Sequence, residues 1–237
     1  MSNRRALALG LIATTLTAAC SAAPGPTAAP TTTTTAPAVS SSAAGASTAP
    51  ISFTLVATGD VLIHQDLELT AGARRPNGSY DFAPVMAPVA SIIRGADLAI
   101  CHFETPVAPA GGPYRGYPSF AVQPQIVAAL KATGFDECST ASNHSLDDGV
   151  GGVVRTLDAL DASGIGHAGT YRSEAESARP QILDIGGVRV AHIAAAYGLN
   201  GGPPSAGRRF AVDLDPVPDV SGLLAAARRA RAAGAQV

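Results

Sequence analysis

Three short apolar runs, each ending in polar side chains able to do chemistry, constrain this chain more than any other feature. Residues 52–58 close on Gly59-Asp60, with His64 shortly after. Residues 98–103 carry Cys101, His102 and Phe103 and continue into Glu104-Thr105-Pro106. Residues 136–141 run into Ser142-Asn143-His144-Ser145-Leu146-Asp147-Asp148-Gly149. Short β-branched runs bounded by Gly and polar residues read as buried strands. The intervening stretches have a different period. Residues 84–94 and 125–133 read as helices. Residues 151–163 form an amphipathic helix, with Val153, Val154, Leu157 and Leu160 on one face and Arg155, Asp158 and Asp161 off it. Residues 105–122, rich in Pro, Gly and Tyr, read as a long loop. Strand alternating with helix gives an α/β layered fold with a sheet between helices.

Further along, residues 165–168 read as a brief strand and 174–178 as a helical turn. Residues 181–185 and 188–194 flank Gly186-Gly187, the signature of a β-hairpin. Residues 221–233 read as a helix with Arg228, Arg229 and Arg231 toward solvent. The closing Gly234-Ala235-Gln236-Val237 has the form of a helix exit followed by the start of another strand. The expectation is a sequence truncated at an element boundary.

The N-terminal part has a different character. Arg4-Arg5 precede an uncharged stretch, residues 6–19, rich in Leu and Ala. It falls short of the about 20 apolar residues of a membrane-spanning helix. A basic start, a short apolar middle and small residues at the end make a secretory leader, residues 1–19. Ala18-Ala19 lie directly before Cys20, which suits lipoprotein processing with lipid attached at Cys20. Thr17 stands where a Leu-like residue is preferred, so an ordinary cut that leaves Cys20 without lipid is the other reading. Residues 21–50 carry no charge and hold the run Thr31–Thr35 with five prolines. Such a segment cannot offset its chain entropy by burial, so residues 20–50 read as a disordered tether. The folded domain is expected over residues 51–237. An exported protein held at the extracytoplasmic face of a membrane follows. The net charge of −2 and the lack of a basic stripe argue against nucleic acid as a partner.

In an α/β sheet, reactive groups gather beyond the carboxyl ends of the strands. The three strand ends offer Asp60, Glu104, Asn143 and His144 from three different elements. Carboxylate, amide oxygen and imidazole are ligand types for a divalent metal such as Mn, Fe or Zn. Such ions convert water to a nucleophile and clamp phosphate oxygens. Singly, each residue also fits a turn or a hydrogen-bonded corner. Jointly, three strand ends would each have to present such side chains by chance. His64, His102 and Asp147 are additional candidates, and His167 and His192 read as structural. Cys101 and Cys138 are open to two readings, a disulfide in an oxidising compartment or two buried thiols.

The motifs Gly59-Asp60-Val61, Ala96-Asp97-Leu98 through Glu104-Thr105-Pro106, and Gly134-Phe135-Asp136 through Asp148-Gly149 occur in order with compatible spacing. In that set, from about Phe53 to about Tyr197, the chain resembles the CapA family of poly-γ-glutamate capsule proteins. The resemblance implies a calcineurin-like metallophosphoesterase fold, a sandwich of two sheets flanked by helices. It implies Asp60 as first metal carboxylate, Glu104 as bridging carboxylate and Asn143 as metal ligand. His144 would protonate a leaving oxygen, a role that suits imidazole. The family often has Asn at the place of His102, and its later His-bearing strand would lie beyond Val237. Two functions follow as expectations. One is a metal-dependent hydrolase acting on a phosphoester or an anionic cell-surface polymer. The other is a non-catalytic accessory protein with a vestigial site, which binds and helps export or anchor poly-γ-glutamate or a related envelope polymer.

Overall fold

A computed structural model describes residues 51–65 and 68–237. The expected leader, Cys20 and tether lie outside the described residues. The order of elements is β1 (Leu55–Asp60), α1 (Glu68–Ala73), α2 (Ala83–Met86), α3 (Ala90–Arg94), β2 (Leu98–His102), α4 (Gln125–Thr133) and β3 (Glu137–Ser139). Then come α5 (Gly149–Ala162), β4 (Gly166–Ala168), α6 (Glu174–Ser177), β5 (Gln181–Ile185), β6 (Val188–His192) and α7 (Ser221–Ala232). Strands β1 to β4 form a parallel sheet in sequential order, and β5 with β6 forms an antiparallel pair. The fold is thus α/β, with parallel and antiparallel pairing and flanking helices.

The expected elements are present, several of them with shifted bounds. The first strand begins at Leu55, later than the apolar run. The helix expected over residues 84–94 is broken into α2, a 3₁₀ turn at Ala87–Val89 and α3. Pro88 lies at the break, since proline lacks an N–H and its ring clashes with the preceding turn. The hairpin turn at Gly186-Gly187 takes positive φ at both positions, 59° and 87°, which only glycine adopts without cost.

Phe103 and Phe135 join Ile126, Leu130, Leu157 and Leu160 in one core, each at most 1 % exposed. This core sets α4 and α5 against the sheet and holds the carboxyl ends of β1, β2 and β3 at one rim. The long loop before α4 is pinned over that rim. The Val107 N–H donates to Thr156 Oγ1 at 2.9 Å, and the Arg115 guanidinium donates to Asp148 Oδ1 at 2.6 Å. Cys101 and Cys138 face each other in register on β2 and β3, and their sulfurs are joined. Gln236 and Val237 run beside β6, with the Gln236 N–H donating to the Arg189 carbonyl at 2.7 Å. No described helix is long and apolar enough to cross a membrane.

Candidate functional site

The turn after β3 builds the centre of the site. Ser145 Oγ accepts from the Ser142 N–H at 2.7 Å and donates to the Thr140 carbonyl at 2.8 Å. Ser142 Oγ donates to the Glu104 carbonyl at 2.8 Å and accepts from the His144 N–H at 2.9 Å. These buried hydroxyls weld the turn to the end of β2 and fix the direction of His144.

His144 is 8 % exposed. Its Nδ1 lies 2.6 Å from Asp147 Oδ2, and the same oxygen accepts the Phe120 N–H at 2.7 Å. Against an ionised Asp147, Nδ1 carries the proton and donates, which leaves Nε2 as the atom able to take or give a proton. The Phe120 ring meets the imidazole edge-on, with centroids 4.8 Å apart. His64 meets the same phenyl ring edge-on at 5.1 Å, so it stands near the cluster through Phe120.

Glu104 is buried behind this turn, and its Oε2 has no hydrogen-bond partner. Burial pushes its carboxyl above the usual carboxylate range, and the charge of Asp60 pushes the same way. His144 and His102 oppose the rise, and Asp147 adds to it. Asp60 forms a separate pair with His102, at 3.8 Å from its Nε2. The Nδ1 of His102 lies 2.8 Å from Ser139 Oγ.

The structure therefore brings Asn143, His144 and Asp147 together, sets Glu104 behind them, and keeps Asp60 with His102 as a second pair. The expectation of a bound divalent metal is overturned. Among the described residues, no three His, Cys, Asp or Glu side chains converge closely enough to hold an ion. The donors are committed in pairs. His144 turns to Asp147, His102 to Ser139, and the Asn143 Nδ2 donates to Asn200 Oδ1 at 3.2 Å. Asp60, Glu104 and Asn143 do not form a ligand set. His167 and His192 keep structural partners, at 3.2 Å from Asp161 and Glu137.

Sequence reasoning missed Asn200 and its loop, and it read residues 105–122 as a loop without singling out Phe120. A cleft of about 640 Å³ adjoins the cluster, bordered by Ser119, Asn143, Asp147, residues 199–205 and Arg208. Asn200 enters it from the Gly-rich stretch Gly198-Leu199-Asn200-Gly201-Gly202. A polar residue between glycines was the available signal, because such loops carry function more often than packing. Arg208 borders the same cleft and gives it a positive group.

Comparison with known proteins shows the family. Residues 54–235 match the family described as Bacterial capsule synthesis protein PGA_cap. Uncharacterized protein y4sH of Sinorhizobium fredii (strain NBRC 101917 / NGR234) is 34% identical over 155 residues, covering 61% of this chain and 30% of that protein. Uncharacterized protein y4uA of the same organism is 34% identical over 155 residues, with the same shares. The chain thus spans 30% of the length of these relatives. With most of the described residues inside the family match, the chain belongs to the PGA_cap family of bacterial capsule synthesis proteins.

Proposed function

We propose that this chain engages a capsule or related envelope polymer in the cleft beside His144, and that His144 transfers a proton there while Asp147 orients it. The 2.6 Å contact between His144 Nδ1 and Asp147 carries this reading. It presents Nε2 as the proton-transferring atom, the arrangement general acid–base catalysis requires. In this role Nε2 takes the proton of the attacking water and passes it to the leaving atom of the polymer bond or phosphoester, so that the imidazole ends in the state in which it began. The polar lining of Asn143, Asn200 and Arg208 suits an extended anionic chain. The placement of the cluster at strand ends supports relating the fold to the calcineurin-like sandwich. The leader and Cys20 support placing the protein outside the cytoplasm, tethered by lipid.

A second reading is an accessory protein that binds the polymer without cleaving it. The Asn200 side chain favours it, because it covers His144 from the cleft. One experiment separates the two. Purified protein is incubated with poly-γ-glutamate, with binding followed by calorimetry and chain length by gel filtration. Shortening that falls by about 10²-fold or more in His144→Ala supports the proton-transfer role. Binding without shortening selects the accessory reading, and absence of binding overturns both for this polymer. Export is tested separately: labelled lipid on the wild type and none on Cys20→Ala is the expected result.

A further inference from the structure

The Asn200 amide has an unusual position. Its Nδ2 lies 3.2 Å from His144 Nδ1 and 3.3 Å from Nε2. A group equally far from both nitrogens and in the ring plane would collide with the carbon between them. The amide therefore lies on the face of the imidazole, in line with neither lone pair. It covers the ring without using the proton-transferring atom. Two further contacts hold it there. The Asn143 Nδ2 donates to Asn200 Oδ1 at 3.2 Å, and the Asn200 N–H donates to the Asn143 carbonyl at 3.1 Å.

The segment that carries Asn200 is exposed and loosely surrounded. Asn200 itself is exposed, and a Cβ added at Gly198, Gly201 or Gly202 would meet nothing within 4 Å. The segment is anchored before and after this stretch. The Ala196 N–H donates to the Asp213 carbonyl at 2.9 Å, and the Tyr171 N–H donates to the Ala211 carbonyl at 3.0 Å. Between the anchors, residues 199–205 form one wall of the cleft. Leu199 packs against the small core of Ala141, Ala196, Ala211 and Val212, but from Asn200 to Ser205 every residue except Pro204 is exposed, and such a stretch lies at the low-stability end of a fold.

We infer that Asn200 is a positioning residue and residues 200–205 a gate over His144. In the empty cleft Asn200 clamps the imidazole against Asp147 and shields its face. A ligand that fills the cleft presses on the same wall and competes for Asn143 and Asn200, so it uncovers His144 as it binds. This deepens, and rests on, the reading of the His144 cleft as the ligand site. The test needs no ligand, so it can fail while that reading stands.

Free protein is treated with diethylpyrocarbonate, and modification of each of the five histidines is timed by peptide mass spectrometry. In Asn200→Ala the rate at His144 is expected to rise roughly tenfold, the order set by losing the side-chain hydrogen bond to Asn143. His64, His102, His167 and His192 should keep their wild-type rates. Asn200→Ser, also too short to reach the ring, should reproduce the effect and carries the test if Asn200→Ala fails to fold. An unchanged His144 rate in a folded variant overturns the gate. An equal rise at all five histidines overturns it too, because Asn200 would then be holding the fold and not the site.

Discussion

Glu104 shows how burial turns one side chain into a pH-dependent element of stability. Its carboxyl is raised by burial and by the charge of Asp60. The native state therefore keeps a proton that the unfolded chain releases. Its contribution to stability is fully present below the unfolded pKa and is lost as pH rises through the folded pKa. Glu104→Gln removes this titration. Melting temperatures across that interval should fall with pH less steeply in the variant than in the wild type. Gly166 makes a steric counterpart. A Cβ there would lie 2.6 Å from Gln181 Nε2 and closer still to Glu137 Oε2. Glu137 is fully buried and bonded to Gln181 at 3.0 Å and His192 at 3.2 Å. Gly166→Ala should cost about 2–4 kcal/mol in urea unfolding, as expected for breaking a buried polar network. Part of the site was legible at this scale. Polar residues at strand ends have no packing role to hide behind, so Asp60, Glu104, Asn143 and His144 stood out. Asn200 did not, because it reaches His144 across 56 residues of chain, a separation that no local pattern encodes. The ligand set failed for a related reason, since spacing along the sequence does not say which donors already have partners.

At the level of elements, local chemistry explains both the agreements and the errors. Helix α4 has the expected bounds because nothing interrupts its periodic face before Gly134. The helix over residues 84–94 broke because apolar periodicity outweighed Pro88 in the reading, whereas the backbone obeys the missing N–H. The first strand starts late because pairing with β2 begins only at Leu55, opposite Leu98. The Cys101–Cys138 bond decides between the two readings left open, and it joins β2 to β3 across a sequence separation of 37. Closing a loop of that length restricts the unfolded chain by up to about 4 kcal/mol. Reduction should lower the denaturant midpoint, and a Cys101→Ala, Cys138→Ala double variant should match the reduced protein and no longer respond to reductant. Equal midpoints with and without reductant in the wild type would show that the bond contributes no stability.

For the whole molecule, the sheet is asymmetric. Strand β4 sits near the hairpin and β1 is at the other edge, with β2 as its one hydrogen-bonded neighbour among the described residues. An open edge offers unpaired backbone groups to other chains, and proteins usually blunt it with Lys, Pro or a bulge. The segment Leu55–Asp60 has neither Lys nor Pro, and its irregularity comes only at its end, between Ala57 and Asp60. Apolar side chains cluster beside it. Leu55 is 51% exposed and Ile92 67% exposed, and an apolar hollow of about 470 Å³ lies between β1 and the α2–α3 segment. With a net charge of only −2, little long-range repulsion opposes contact between copies. Residues 51–237, with this edge uncovered, should therefore self-associate as their concentration rises. Leu55→Lys places a charge on the edge and should shift light-scattering mass toward the monomer. Tyr197→Lys, also at an exposed position but far along the chain beside the gate, should leave association unchanged. If both variants act alike, the effect is one of net charge and the edge of β1 is not the contact.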